Sequence, residues 1–211
     1  VAATKTYVAQ IIALELFGLR LAQVRATLSP ADVAAELASL GSAPDAVAAA
    51  VERDGAVAAV AAELADTTEF FFLGRHAGYP TALEGALKLK EISYLHAEGY
   101  PGGELKHGPL AVIEPGCVVV AVASGGPLQE KMLSNVAEVK ARGATVVLVV
   151  DDGDDAAAAI GDYVLYVPPT SPLMAPVKDI VPLQQLAYHL ARGRGLDVDR
   201  PRNLAKTVTV E

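Results

Sequence analysis

Apolar residues recur along this chain in two rhythms, and their alternation predicts its architecture. Over residues 1–28, Val8, Ile11, Ile12, Leu14, Leu16, Leu19, Leu21 and Val24 surround most of a helical circumference. That pattern predicts a helix buried on more than one side, against a neighbour outside this chain. Ala-rich helical segments follow over 29–66, where Ser29-Pro30 has the form of a cap and a first-turn proline and 42–45 marks a second break. Beyond that point β-rich runs alternate with helix-length stretches. Strands are predicted at 69–73, 117–123, 144–150 and 163–167, and helices at 81–97, 128–142 and 173–194. Residues 74–80 read as a turn-rich loop, and 102–113 follow a Pro-Gly-Gly break.

Continuous Val-rich strands separated by helices predict an α/β fold, a parallel sheet with helices covering both faces. In such sheets ligands sit beyond the carboxyl ends of the strands. With 211 residues, 52% of them hydrophobic, the chain can bury a full core. A net charge of −8 without a basic cluster argues against nucleic acid as a partner. No uninterrupted apolar run reaches the roughly 18 residues of a membrane span, and no signal pattern opens the chain. The single Cys117, in a strand-like run, fits a buried thiol in a reducing cytoplasm. The chain lacks an initiator Met and opens inside a predicted helix, as a fragment does.

Few residue groups could carry chemistry. Glu84, Lys88 and Glu91 are spaced i, i+4, i+7 and share one helical face, while Leu83, Leu87 and Tyr94 take another. Such a stripe is usually a solvated charged face. Here it begins just past a strand, and Gly103–Pro109 sets His107 in a Gly- and Pro-bounded turn. A carboxylate and a histidine in one strand-end cleft can shuttle protons near neutral pH. His76, His96 and His189 read as loop, helix-end and helix-surface residues. Ser124-Gly125-Gly126 stands where a phosphate loop could, but one hydroxyl favours a plain turn. The run Asp151–Asp155 lacks Ca²⁺-loop spacing and reads as a solvated acidic turn, and no zinc or dinucleotide motif is present. No metal or cofactor is therefore expected. Lys206 lies on a short tail after the last predicted helix, a poor place for a structural lysine and a good one for an amine that closes over a substrate.

The stretch GRHAGYPTALEGALKLKEISYLHAEGYPGGELKHGP from Gly74 and the terminal DVDRPRNLAKTVTVE resemble the isomerizing glutamine–fructose-6-phosphate aminotransferases, or glucosamine-6-phosphate synthases. The opening VAATKTYVAQ extends the likeness over the whole chain. The resemblance implies a three-layer α/β/α sugar isomerase (SIS) domain with an N-terminal helical extension and a C-terminal tail. Residues 1–28 would be the last helix of a preceding SIS domain, 29–66 connecting helices, 67–196 the second SIS domain and 197–211 a catalytic tail. The glutaminase domain and nearly all of the first SIS domain would lie outside the chain.

By the same resemblance Lys206 forms a Schiff base with the open ketose, and His107 helps open the ring from the neighbouring subunit of a homo-oligomer. Glu91 moves a proton between C1 and C2, assisted by Lys88, while Ala205 and Val1 contact substrate. The implied ligands are fructose 6-phosphate and glucosamine 6-phosphate, with no cofactor, membrane or nucleic acid, in the cytoplasm. A ketimine becomes an amino-aldose by proton movement alone, so a neutral lysine and a carboxylate suffice. The family's Ser/Thr-rich phosphate loop is absent here, which implies half a site. Two other readings share the fold: a sugar-phosphate sensor without chemistry, and an SIS deglycase or deaminase running in reverse.

Overall fold

The computed structural model describes residues 2–204. Four helices come first: α1 (Lys5–Val24), α2 (Pro30–Gly41), α3 (Ala43–Val51) and α4 (Asp54–Glu63). Then follow β1 (Glu69–Gly74), α5 (Gly78–Ser93), β2 (His96–Pro101), β3 (Val118–Val122), α6 (Gln129–Lys140), β4 (Thr145–Asp151), the short α7 (Asp155–Ala158), β5 (Tyr163–Val167) and α8 (Ala175–Gly193). Two 3₁₀ segments, Gly102–His107 and Pro109–Val112, connect β2 to β3.

The five strands form one parallel sheet in the order β2-β1-β3-β4-β5. Successive strand residues point to opposite faces, and each face is apolar. Phe70, Phe72, Val118, Val120, Val147, Val149 and Leu165 pack under α4, α5 and α8. Phe71, Leu73, Val119, Ala121, Val146 and Leu148 pack under α6, α7 and Leu105. The layers are thus α/β/α, as the Val-rich runs predict.

Local chemistry explains several boundaries. Ser29 and Asp32 form a reciprocal capping box, with Pro30 in the first turn of α2. α5 stops at Tyr94, whose φ of 61° is left-handed. The predicted helix 81–97 is therefore too long, and the strand β2 was missed. His-Ala-Glu-Gly-Tyr-Pro lacks β-branched residues and carries two strand breakers. β2 forms because β1 presents a free edge to it, a tertiary cause that periodicity does not record.

The first helix also departs from expectation. Leu19 is its one buried residue, and Leu14, Leu16, Phe17, Leu21 and Val24 are exposed. Burial on several sides is not met within this chain. By length and composition Lys5–Val24 could cross a membrane, which a count of uninterrupted apolar residues overlooks. Glu15 and Arg20 interrupt it.

At the end of β1 the chain turns so tightly that a Cβ on Gly74 would lie 2.1 Å from the Gly78 carbonyl oxygen. No side-chain rotation relieves a clash with backbone. Gly74→Ala is expected to destabilise the protein by about 3 kcal/mol, measured as a lowered urea midpoint.

Candidate active site

The crossover between β1 and β2 decides where the predicted residues fall. α5 leaves the carboxyl end of β1 and must return to the amino end of β2 before the parallel strand can start. Glu84, Lys88 and Glu91 descend with it. Glu91 lies five residues before His96, the first residue of β2, and so near the amino edge of the sheet. His107 follows the carboxyl end of β2 by six residues and is exposed there. The expectation that one chain's carboxylate and histidine share a strand-end cleft is overturned. They sit toward opposite ends of the sheet.

The charged stripe is not solvated either. The Lys88 side chain is only 4% exposed, and Glu84 and Glu91 are 15% and 20% exposed. Leu83 and Leu87, on the other face, are 41% and 42% exposed. α5 still packs Ala82, Ala86, Leu89 and Ile92 into the core, and the charged stripe is buried beside them. The Lys88 ammonium lies 2.5 Å from Glu91 Oε2 and 3.4 Å from Glu84 Oε1. A buried ammonium needs such partners to offset its lost hydration. One positive charge between two carboxylates leaves a net negative site, and burial, reinforced by Glu91, holds the Glu84 carboxyl above its usual range against the pull of Lys88.

Two other parts of the chain reach α5. From α1, the Tyr7 hydroxyl lies 3.3 Å from Thr81 Oγ1, and Ala2, Tyr7 and Val8 pack on the same core layer as α5. From the other terminus, Leu196 and Val198 join that layer. Asp197 Oδ1 accepts from the backbone N–H of Asp199 and Arg200, and Pro201 is buried. The Arg202 N–H donates to the Tyr94 hydroxyl at 2.8 Å, and its guanidinium lies 4.1 Å from the centre of the Tyr94 ring. Both ends of the described chain therefore meet the helix that carries Glu91. Val1, Ala205 and Lys206 lie outside the described residues. The spacing places Tyr94 only on a helical face with Leu83 and Leu87 and gives Tyr7 no role, because their contacts span 108 and 74 residues.

A separate crevice of about 70 Å³ opens where strand order reverses, between the carboxyl ends of β1 and β3. The Ser124 hydroxyl, which lines it, donates to Asp179. Lys178, fully buried, binds Asp151 at 2.6 Å and Asp179 at 2.9 Å. In the acidic run beside the crevice Asp152 and Asp155 are exposed, as expected of a solvated turn, but several of its carboxylates are also bonded. Asp152 pairs with Arg53 at 2.5 Å, while Asp154 caps α7 and accepts from Gln129. These carboxylates anchor different elements. Cys117 is buried just before β3, and burial pushes its thiol pKa up. His189 bonds Asp54 at 2.8 Å, and His96 begins a strand and does not end a helix.

Residues 63–191 match the family model of the SIS domain, and the chain belongs to that family. It is 50% identical, over its whole length, to a glutamine–fructose-6-phosphate aminotransferase [isomerizing] from Leifsonia xyli, of which it covers 35%. The C-terminal domain of glucosamine-fructose-6-phosphate aminotransferase from Francisella tularensis superposes with a TM-score of 0.90 at 41% identity, covering 95% of this chain and 57% of that one. A glucosamine-6-phosphate deaminase from Thermotoga maritima superposes at 0.70 with 27% identity, over 99% of this chain and 57% of that one. The chain spans about a third of the length of the aminotransferases that it matches.

Asp179 supplies a pH test of the crevice network. Burial raises its carboxyl pKa from 3.8 to about 6, against the opposing pull of Lys178 and Ser124. A raised carboxyl holds its proton more tightly folded than unfolded, so its contribution to stability is complete below pH 3.8 and is lost as pH rises through about 6. The unfolding free energy of wild type relative to Asp179→Asn should fall across that window in urea titrations.

Proposed function

We propose that this chain is the isomerase portion of a glutamine–fructose-6-phosphate aminotransferase, working on an open-chain ketose phosphate. The observation that carries the reading is the buried Lys88, held between Glu84 and Glu91 on the helix to which both chain ends return. A fold needs no such triad for stability, because apolar residues of similar volume would do at least as well. Proton transfer between carbons does need a shielded carboxylate with a fixed cation beside it.

In this mechanism the Lys206 amine, uncharged, adds to C2 of the opened ketose and water leaves, forming an imine. Ammonia displaces the lysine and leaves a ketimine at C2. Glu91 takes a proton from C1 and returns it to C2 as the C1 hydroxyl proton passes to the C2 nitrogen, while Lys88 steadies the charge on the carboxylate. No electrons are transferred. His107 exchanges the proton needed for ring opening. Its position across the sheet from Glu91 within one chain supports service to a neighbouring subunit's site. Val1 and Ala205 contribute substrate contacts, and the phosphate is held by a preceding SIS domain. The sugar acted on, the domain boundaries given above, the homo-oligomer and a cytoplasmic setting belong to this reading.

A second reading, a deaminase running in reverse, is favoured by the likeness to the Thermotoga deaminase. The higher identity to the aminotransferases places it second.

The decisive experiment uses the complete enzyme with fructose 6-phosphate and borohydride. Wild type should give a covalent adduct at residue 206, and Lys206→Arg should give none while glutaminase activity survives. Glu91→Gln should keep the adduct and lose about 10²–10⁴-fold in kcat. An adduct in Lys206→Arg would assign the amine elsewhere. The 211-residue chain by itself should bind the sugar phosphate weakly and not turn it over. Glucosamine 6-phosphate formation by that chain from ammonia would show that no further domain is needed.

A further inference from the structure

Tyr94 stands in a conformation that a tyrosine does not favour. Its φ of 61° and ψ of 16° close α5 in the left-handed region, where glycine or asparagine is the usual occupant. The strain is explained by what the side chain does. The hydroxyl accepts the Arg202 N–H at 2.8 Å, and the ring face carries the Arg202 guanidinium at 4.1 Å. The first contact fixes the backbone at residue 202 and the second orients its side chain. The approach to this point is also built. Asp197 ties the turn through two backbone N–H groups, Pro201 is buried, and Asn203, at φ 61°, redirects the chain immediately afterwards.

The spacing gives the contact a use. Tyr94 follows Glu91 by three residues, about 5 Å along the helix axis. Lys206 follows Arg202 by four in sequence, a separation that an extended chain spans by at most about 14 Å. We infer that Tyr94 and Arg202 form a clamp that holds the base of the C-terminal tail beside the Glu91 carboxylate. They are positioning residues for the Lys206 amine, and the inference rests on the function proposed above.

The test compares borohydride-trapping rates, kcat and KM in the complete enzyme. Tyr94→Asn satisfies the left-handed cap without strain, so a purely structural Tyr94 predicts unchanged or higher thermal stability and full activity. The clamp predicts intact stability with trapping and kcat lowered about 10–100-fold, as expected for a misplaced reacting group. KM for fructose 6-phosphate should change little. Arg202→Ala should behave similarly, Arg202→Lys should recover part of the loss by keeping a cation over the ring, and the Tyr94→Asn/Arg202→Ala double variant should be no worse than either single one. Wild-type trapping rates in both Tyr94→Asn and Arg202→Ala would overturn the clamp. If Lys206→Arg abolishes trapping in the same assay, the clamp alone has failed. If Lys206→Arg still traps sugar, the proposed function has failed with it.

Discussion

Parallel pairing of β1 with β2 is the constraint on which the rest of the molecule depends. It obliges the chain to cross back over the sheet between them, and α5 is that crossover. A helix that begins at the carboxyl edge and ends near the amino edge carries its stripe from one to the other. Glu84 and Lys88 fall along the middle, and Glu91 and Tyr94 near the lower end. His107, after β2, is returned to the upper edge. One topological requirement thus separates groups that lie within 16 positions of each other in sequence.

The same crossover makes the buried triad possible. A lysine at this depth would be costly on a solvent-facing helix turned inward without partners, but its neighbours one turn away on the same face are both acidic. Tyr7 of α1 closes over the upper part of the face at Thr81, and the 196–202 segment approaches its lower end. The apolar residues Leu83 and Leu87 are left outside. α5 thus buries a charged stripe beside its core-packed Ala82, Ala86, Leu89 and Ile92. The crevice at the strand-order reversal contrasts with it. It has the location that α/β proteins use for ligands, yet Ser124, Asp151, Lys178 and Asp179 already bind one another there.

Much of the fold was legible in the chain. Runs such as 117–123 and 146–150 are apolar at every position, which a strand covered on both faces requires, so sheet class and layering followed from composition and period. The shared face of Glu84, Lys88 and Glu91 was legible as well, since helical spacing is a local property, but its burial was not. β2 was not, because an edge strand with Gly99 and Pro101 owes its existence to the partner beside it.

Local sequence, acting through side-chain volume, backbone stiffness and capping, set which segments became helices and most of the strands. Tertiary structure alone decided that Lys88 would be dry, that His107 and Glu91 would part, and that Tyr94 would meet Arg202 across 108 residues. The reason is physical. Burial and long-range contact depend on the order in which strands pair, and strand order is a property of the whole sheet that no single window of residues contains.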